Sequence, residues 1–429
     1  MSGYFKVKGK GPVRYLKGEI RVNGAKNSVL KAISASLLFD SDVIIENAPH
    51  IVDLCWLLEI LEKLGVQARF DKNNNKILIK RFSEDNLSYV LDFDLAKRLR
   101  SSIVLTGPLL ARKGRVVFPY PGGDKIGLRP IDLFLEGYKK MGATVKEFND
   151  KIEVSAENLH GAEIFFRRQS VTATEALMMA AVLAEGKTLL KNAAMEPEIK
   201  HLADFLNKSG AKIDGAGTHT ITIHGSYSPL RTEKSFLTPP DRIEAGSFLA
   251  LSSVLADNVL IKACAPSEME AVLEYFDYIG LNFDVGLDCI HIHNNKESRE
   301  FIMRDFVTHE YPGFPTDMQA PIVVSLTQFS GEAIIFETIF EDRFAYTEAL
   351  RLMGADILSL DPHRILVRGP RKLFPRNLKS IDIRAGMAQL MAAAFAYGES
   401  KIFDIYHIER GYANIDSRLK GIGLDIQRC

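Results

Sequence analysis

Charged side chains stand among glycines in the segment Pro121–Leu133, which reads PGGDKIGLRPIDL. The glycines give this backbone a conformational freedom that no other residue type supplies. Within the segment, Asp124, Lys125 and Arg129 provide one carboxylate and two cations. A flexible segment that carries an acid and ends in an arginine suits a mobile lid over an anionic ligand. We expect this lid, called here the glycine-rich loop, to comprise residues 120–129.

The same segment also allows a simpler interpretation. It follows an apolar run at Arg115–Phe118, which is typical of a strand, and it contains Pro130 next to Arg129. Proline is favoured in the first turn of a helix, so the pattern predicts a helix that begins near Arg129. The segment could therefore be a solvated turn between a strand and a helix. Other parts of the chain must decide between these interpretations.

Basic, acidic and hydroxyl residues recur at the starts of six apolar helical segments. Free backbone N–H groups and the positive end of the helix dipole favour anions at such positions. If the six starts faced one cleft, they would bind phosphate and carboxylate groups; alternatively, each is an ordinary cap or surface charge. The residues at these starts are Lys26 and Asn27, Arg98 and Arg100, Arg168 and Ser170, Asp241 and Arg242, Thr316 and Asp317, and Asp382 and Arg384.

One pattern recurs six times along the chain: an amphipathic helix ends in glycine and runs into a strand. Glycine takes the left-handed conformation that a helix needs in order to turn sharply into a strand. A regular spacing of this kind predicts six structural repeats. The glycines, which lie 68 to 77 residues apart, are Gly65, Gly142, Gly210, Gly280, Gly354 and Gly423.

Each repeat also opens with a helical segment that is apolar nearly all round, such as TEALMMAAVLA and AGMAQLMAAAFA. A helix without a polar face belongs in the interior, so we predict an α/β fold in which sheets surround buried helices. The proline-rich segment 226–240 follows the third repeat and indicates two lobes of three repeats each. The predicted boundaries are 23–237 for the first lobe, which carries the glycine-rich loop, and 1–22 plus 238–429 for the second. By the repeat pattern, we expect the strands before residue 23 to join the last repeat and close the second lobe. We expect ligands in the cleft between the lobes.

Composition restricts the partners that the chain can have. Lys plus Arg and Asp plus Glu number 54 each, so the 429 residues carry no net charge and give no general attraction to nucleic acid or anionic membranes. No apolar run approaches the roughly 18 residues of a membrane span, and the N-terminus lacks the apolar core of a signal peptide. The four cysteines show no metal-type spacing. We therefore expect a cytoplasmic monomer without disulfides and without nucleic-acid or membrane partners.

Four separated motifs stand in different repeats: GAKN at Gly24–Asn27, PGGxxIGxRPxDL at Pro121–Leu133, FPTDMQA at Phe314–Ala320 and IYHIERGY at Ile405–Tyr412. Together they resemble the motifs of the UDP-N-acetylglucosamine 1-carboxyvinyltransferases, the enolpyruvyl transferases that catalyse the first step of peptidoglycan synthesis. The motifs occur in family order within the matching repeats, and the resemblance extends from about residue 4 to the C-terminus. It implies a two-lobed inside-out α/β barrel with the active site between the lobes.

The resemblance also implies a reaction and the residues that carry it out. The 3′-hydroxyl of UDP-N-acetylglucosamine adds to C2 of phosphoenolpyruvate, C3 gains a proton, and the tetrahedral intermediate loses phosphate. This chemistry needs a base, an acid and cations for two anionic substrates, but no metal and no organic cofactor. Matching positions imply Asp317 as the base, Asp124 or Lys26 as the acid, and Arg410 as a further catalytic residue. The residues implied for phosphoenolpyruvate are Lys26, Asn27, Arg129, Arg343, Arg384 and Arg410. Those implied for UDP-N-acetylglucosamine are Arg100, Arg129, Pro130, Ile131, Asp132, Leu133, Arg168, Gln169, Ser170, Val171, Asp317 and Ile339.

The chain departs from the family pattern at three places. Most members carry cysteine at the position of Asp124, and the family's epoxide inhibitor fosfomycin alkylates that thiol. A carboxylate is a far poorer nucleophile toward the epoxide, so the chain is expected to resist fosfomycin. The acid Asp53 is kept, but Val52 and Cys55 stand where charged residues are common. Residues 168–169 read Arg-Gln in place of a more usual Lys-Val.

Other functions stay open at this point. The sister enzyme that acts on shikimate 3-phosphate shares the fold and the phosphoenolpyruvate chemistry, but its GSKS and NAGT signatures are missing from this sequence. The RNA 3′-phosphate cyclases share the smaller repeat, but the neutral charge and the lack of a terminal histidine motif argue against them. A non-catalytic repeat scaffold gives no reason for acids and arginines to collect at helix starts.

Overall fold

The computed structural model describes residues 3–124, 126–293 and 302–429, so Lys125 lies outside the described residues. The chain divides into two compact units. Unit 1 consists of Met1–Asn23, Asp124–Leu128 and Pro240–Cys429, and unit 2 consists of Gly24–Gly123 and Arg129–Pro239. The boundaries predicted from the sequence assigned the whole glycine-rich loop to the first lobe, whereas Asp124–Leu128 makes its contacts in unit 1.

The helices fall into interior and outer sets. They are α1 (Lys26–Ala35), α2 (Val52–Lys63), α3 (Phe93–Arg98), α4 (Thr106–Lys113), α5 (Asp132–Lys140), α6 (Val171–Val182), α7 (Pro197–Lys208), α8 (Arg242–Leu255), α9 (Glu270–Tyr278), α10 (Thr316–Leu326), α11 (Thr347–Leu352), α12 (Ile383–Phe395), α13 (Tyr406–Glu409) and α14 (Ile415–Gly421). A 3₁₀ helix at Arg100–Leu105 leads into α4. In the part of the chain that the structure describes, no helix is both long and apolar enough to cross a membrane.

Buried helices occupy the interior of each unit. In unit 1, α10 packs against α8 and α12, and every residue of α8 and of α12 is buried. In unit 2, α4 packs against α6, and α6 is buried from Ala173 onward. Small and apolar side chains on all sides let these helices approach one another while excluding water. The sequence prediction of interior helices is thereby confirmed.

The outer helices end as the glycine pattern predicts. In each repeat a glycine follows the last helical residue by two positions and adopts a positive φ, which a residue with a side chain rarely takes. The prediction of left-handed glycines at these ends is confirmed. Their φ angles are 91° at Gly65, 92° at Gly142, 103° at Gly210, 93° at Gly280, 104° at Gly354 and 100° at Gly423.

The strands form three sheets in each unit among the described residues. In unit 1 the strand orders are β21-β22-β1-β23, β15-β16-β14-β2 and β17-β18-β20-β19; in unit 2 they are β11-β12-β10-β9, β13-β3-β5-β4 and β6-β8-β7. The strands are β1 (Phe5–Lys10), β2 (Leu16–Arg21), β3 (Val43–Glu46), β4 (Ala68–Asp71), β5 (Lys76–Ile79), β6 (Arg115–Pro119), β7 (Thr144–Glu147), β8 (Lys151–Ser155), β9 (Glu163–Phe165), β10 (Lys187–Lys191), β11 (Lys212–Asp214), β12 (Thr220–His224), β13 (Phe236–Leu237), β14 (Ala256–Lys262), β15 (Phe283–Val285), β16 (Cys289–His293), β17 (Phe306–Val307), β18 (Gly331–Phe336), β19 (Asp356–Asp361), β20 (Arg364–Gly369), β21 (Asn377–Lys379), β22 (Tyr397–Phe403) and β23 (Ile426–Arg428).

A parallel strand pair brackets an interior helix in three repeats. β9 pairs with β10 on the two sides of α6, β17 pairs with β18 on the two sides of α10, and β21 pairs with β22 on the two sides of α12. The strands next to the chain crossings do not bracket the helix that follows them: β2 precedes α1 but pairs with β14 in unit 1, and β13 precedes α8 but pairs with β3 in unit 2. The sequence interpretation placed both N-terminal strands with the last repeat. Only β1 joins that repeat, through β22 and β23, whereas β2 completes the sheet of the fourth repeat.

Candidate active site

A carboxylate and two arginines meet at the starts of two interior helices of unit 1. Asp317 lies in the first turn of α10, and Arg384 lies in the first turn of α12, whose N-terminus Asp382 caps through the N–H groups of residues 384 and 385. Asp317 Oδ1 accepts a hydrogen bond from Arg343 Nη2 at 2.5 Å, and Asp317 Oδ2 accepts one from Arg384 Nη2 at 2.8 Å. Each carboxylate oxygen is thus oriented by a different guanidinium group.

The two arginines of this cluster are more deeply buried than the aspartate. The side chain of Asp317 is 31% exposed, whereas those of Arg343 and Arg384 are 5% and 9% exposed. Burial opposes the charge of Arg384, but Asp317 and the oxygen of Tyr412 outweigh it and hold the pKa of Arg384 above its ordinary value. Arg343 Nε is buried without a hydrogen-bond partner among the described residues, so its guanidinium group has a donor left for an anionic ligand.

A second ion pair in unit 1 joins the glycine-rich loop to the IYHIERGY motif. Arg410, just past the end of α13, donates from Nη1 to Asp124 Oδ1, and both side chains are mostly buried. The pair therefore links the loop to the segment that follows α13 through a charge-assisted hydrogen bond that Asp124 accepts.

The loop is also attached to unit 1 through Glu341. Its Oε1 accepts a hydrogen bond of 2.8 Å from the backbone N–H of Leu128, which holds the pKa of Glu341 below its ordinary value. Gly127 adopts φ 135°, and a Cβ at this position would lie 2.6 Å from Glu341 Oε2. Glycine is favoured at this point of the loop because a residue with a side chain rarely adopts this φ.

His407 stands beside the Asp124–Arg410 pair and was not singled out by the sequence. Its ring packs on that of Tyr406 with 4.0 Å between centroids. Burial, followed by the positive charge of Arg410, lowers the pKa of His407 below its ordinary value, and its Nδ1 is buried without a hydrogen-bond partner in the described residues. Its position within the IYHIERGY motif is the only feature of the sequence that could have pointed to it.

Glu337 is a second residue that the sequence did not reveal. Its buried carboxylate accepts a hydrogen bond of 2.8 Å from Thr316 Oγ1 and one of 2.9 Å from the backbone N–H of Ile339. It therefore joins Ile339, a predicted sugar-nucleotide residue, to the start of α10 beside Asp317. An isolated acid in the middle of the chain carries no sequence signal for such a role.

In unit 2, the GAKN motif places a lysine against a buried acid. Lys26 begins α1, and its Nζ lies 2.6 Å from Oδ2 of Asp53, which is only 1% exposed. This ion pair fixes the position of the lysine side chain. Gly24 allows the close approach of the chain, since a Cβ there would lie 1.9 Å from the carbonyl oxygen of Asn47. Asn27, in the first turn of α1, is partly buried.

Two further cations of unit 2 stand close together. Arg100 donates from Nη1 to the carbonyl oxygen of Pro121 at 3.2 Å and from Nη2 to that of Arg129. Burial, and then the like charge of Arg129, lowers the pKa of Arg100 to about 10. Gly123, with φ 103°, lies against both side chains. Like charges held together in a partly buried position favour the binding of an anion.

Two of the predicted sugar-nucleotide residues of unit 2, Asp132 and Arg168, form an ion pair. Arg168 Nη2 lies 2.5 Å from Asp132 Oδ1, and Arg167 Nη2 lies 3.0 Å from Asp132 Oδ2. Ser170 caps α6 by accepting a hydrogen bond from the N–H of residue 173, as an ordinary N-cap does. The Oε1 atom of Gln169 is buried without a hydrogen-bond partner among the described residues.

The helix that follows the glycine-rich loop starts later than predicted. α5 begins at Asp132, with Ile131 as its N-cap, so Pro130 precedes the helix instead of lying in its first turn. The backbone between Arg129 and Ile131 is held outside the helix, where Arg100 takes the carbonyl oxygen of Arg129. Leu133 is buried on the inner side of α5.

Comparisons with known proteins show that the fold of this chain is a known one. The EPSP synthase (3-phosphoshikimate 1-carboxyvinyltransferase) family profile matches residues 11–419. The enolpyruvyl transferase NikO from Streptomyces tendae has a similar structure, with a TM-score of 0.88 and 23% identity over 100% of this chain and 99% of that one. An EPSP synthase from Acinetobacter baumannii has a TM-score of 0.73 at 18% identity, with both chains fully covered. The fold is therefore the inside-out α/β fold of the enolpyruvyl transferases.

Relatives of higher identity define the family more narrowly. UDP-N-acetylglucosamine 1-carboxyvinyltransferase 2 of Clostridium tetani is 39% identical over 415 residues, which cover 96% of this chain and 97% of the relative. The UDP-N-acetylglucosamine 1-carboxyvinyltransferase of Campylobacter hominis is 40% identical over 414 residues, with the same coverage. The chain belongs to the UDP-N-acetylglucosamine 1-carboxyvinyltransferase family, and the resemblance noted in its motifs is confirmed.

Proposed function

We propose that this protein transfers the enolpyruvyl group of phosphoenolpyruvate to the 3′-hydroxyl of UDP-N-acetylglucosamine and releases phosphate. The observation that carries the proposal is the nearly full-length identity of 39–40% to relatives that bear the name of this activity. The reaction is the first committed step of peptidoglycan synthesis. Both substrates are polyanions, and the clustered arginines of each unit suit them.

Asp317 is assigned as the base that takes the proton of the 3′-hydroxyl. Hydrogen bonds from Arg343 and Arg384 orient its carboxylate. An anionic group of phosphoenolpyruvate that binds Arg343 or Arg384 would compete with Asp317 for that cation. Binding of this substrate would then free an oxygen of the carboxylate to accept the proton of the 3′-hydroxyl.

Lys26 is assigned as the acid that protonates C3. The ion pair with Arg410 supports a different role for Asp124, because it engages the carboxylate in attaching the glycine-rich loop. The pair with Asp53 supports Lys26, because it holds the lysine side chain in a fixed position at the start of α1. In this assignment Asp124 attaches the glycine-rich loop until substrate competes for Arg410.

The remaining assignments concern binding. Arg129, Arg410 and Asn27 bind phosphoenolpyruvate together with the groups already named. The sugar nucleotide contacts Arg100, the residues 129–133 and 168–171, and Ile339. The glycine-rich loop is a mobile lid, a prediction that limited proteolysis with and without sugar nucleotide can check. We further propose that the protein is a cytoplasmic monomer without nucleic-acid or membrane partners.

The proposed activity is tested by the structure of its product. Phosphoenolpyruvate and UDP-N-acetylglucosamine are incubated with the full chain, and the product is analysed by mass spectrometry and NMR. An enolpyruvyl ether on the 3′-oxygen of the sugar supports the proposal. Unchanged substrates, or an enolpyruvyl group on another oxygen, contradict it.

A further inference from the structure

Two histidines and an aspartate share one face of a sheet in unit 1. His291 and His293 are two residues apart on β16, so their side chains point to the same face. Asp284, on β15, lies directly opposite His291 in the antiparallel register. The metal-ligating atoms of the three side chains all lie within 4.8 Å of one another. None of these residues is assigned to enolpyruvyl transfer.

Each imidazole already directs Nε2 at an oxygen atom. His293 Nε2 lies 2.6 Å from Asp284 Oδ2, and His291 Nε2 lies 2.5 Å from Oδ1 of Asn258 on the neighbouring strand β14. The two rings have 4.0 Å between their centroids. Two Nε2 atoms and two oxygens thus converge on one region, and in the neutral tautomer that donates from Nε2 each nitrogen carries a proton there.

We propose that Asp284, His291 and His293 bind a divalent transition-metal cation of the zinc class. Imidazole nitrogen and carboxylate oxygen are preferred zinc ligands, whereas magnesium and calcium prefer oxygen alone. On binding, the cation takes the place of the Nε2 protons, which move to Nδ1 or to solvent. Asn258 Oδ1 is a neutral fourth ligand on the same face.

The surroundings allow a cation to enter. The side chain of Asp284 is 77% exposed and that of His293 is 35% exposed, so solvent reaches the cluster and the carboxylate can adjust its position. The ligands come from three adjacent strands, β14, β15 and β16. A bound cation would therefore cross-link this sheet and stabilise the folded chain by mass action.

The test measures metal binding to the full chain without an affinity tag, after removal of metal by chelation and dialysis. We expect calorimetry to show one Zn²⁺ bound per chain, with far weaker binding of Mg²⁺, and the unfolding temperature to rise with Zn²⁺ concentration. Co²⁺ should give the visible absorption of a site with nitrogen ligands. No Zn²⁺ binding, or Mg²⁺ binding of equal affinity, would overturn the proposal.

Variants identify the ligands. The double change His291→Gln and His293→Gln should abolish the Zn²⁺ site, and Asp284→Asn should weaken it by at least about tenfold, the smallest loss typical of residues that only support a ligand. The matched control is His219→Gln with His224→Gln, two exposed histidines near β12 of unit 2, which should bind Zn²⁺ as the parent does. Unchanged Zn²⁺ affinity in the His291 and His293 double variant would show that the cation binds elsewhere. Turnover with and without chelator should be the same in all variants.

Discussion

Replacing Asp317 by asparagine distinguishes two roles of this residue, one as a catalytic base and one as a member of a structural ion pair. The Asp317→Asn change keeps the shape of the side chain but removes its charge and most of its basicity. The amide oxygen can still accept one hydrogen bond, from Arg343 or from Arg384. The amide NH₂ group then faces the other guanidinium group, and two donors meet where a donor and an acceptor were paired.

The cost in stability follows from the burial of the three groups. Removing one partner of a buried ion pair typically costs about 3–5 kcal/mol. The 31% exposure of Asp317 lets water screen the arginines, so we expect a loss of about 2–4 kcal/mol in the free energy of unfolding. Loss of the base should lower kcat by roughly 10² to 10⁴. The KM for phosphoenolpyruvate should not rise, because Arg343 and Arg384 lose their competing carboxylate.

The assays are steady-state phosphate release and unfolding in urea, both compared with a matched control. Asp356→Asn breaks a pair with Arg371 in the same unit, but the two side chains are 33% and 49% exposed. This control should lose only about 0–1 kcal/mol and keep its turnover. A kcat for Asp317→Asn within a few fold of the parent, measured on folded protein, would refute the base assignment. A rise in KM for phosphoenolpyruvate would refute the proposed competition.

Three further changes test other parts of the site and the core. Asp124→Cys should make the enzyme sensitive to time-dependent inactivation by fosfomycin, and inactivation of the parent with an adduct in the loop would contradict this. Asp53→Asn should lower kcat and cost about 3 kcal/mol of stability, and combining it with Lys26→Gln should cost much less than the sum; additive losses would show that the pair is not coupled. Burial raises the pKa of Glu175, whose carboxylate lies 2.6 Å from Lys31 Nζ, to about 7 from a reference of 4.5. The folded state therefore holds a proton that the unfolded state releases, so this contribution to stability is present below pH 4.5 and lost by about pH 7. Glu175→Gln should flatten that decline in a urea-unfolding series, and an unchanged pH dependence would contradict the assignment.

The repeat architecture could be predicted from the sequence because each repeat carries two strong local signals. A glycine two residues past an amphipathic helix fixes the end of the helix, as at Gly65 and Gly354. A helix such as α12, without a polar face, can only be buried. The pairing of β13 with β3 could not be predicted, because β13 has only two residues and the pairing depends on contacts far along the chain.

In the site, too, residues that stand in motifs could be predicted, whereas their partners from distant parts of the chain could not. Asp317 and Lys26 stand in motifs, but their partners Arg384 and Asp53 could be assigned to them only by the fold. Glu337 acts through hydrogen bonds to groups on both sides of it in the chain, a role that no spacing encodes. The start of α5 was misplaced because Pro130 favours a first helical turn, yet tertiary contacts of the preceding backbone delay the helix to Asp132.

The choice of acceptor tests the proposed function most directly. Release of inorganic phosphate from phosphoenolpyruvate is measured separately with UDP-N-acetylglucosamine and with shikimate 3-phosphate, on the same preparation of folded protein. We expect phosphate only with UDP-N-acetylglucosamine. Phosphate release only with shikimate 3-phosphate would show that the proposed acceptor is wrong. Release with neither acceptor would show that the chain is not an enolpyruvyl transferase.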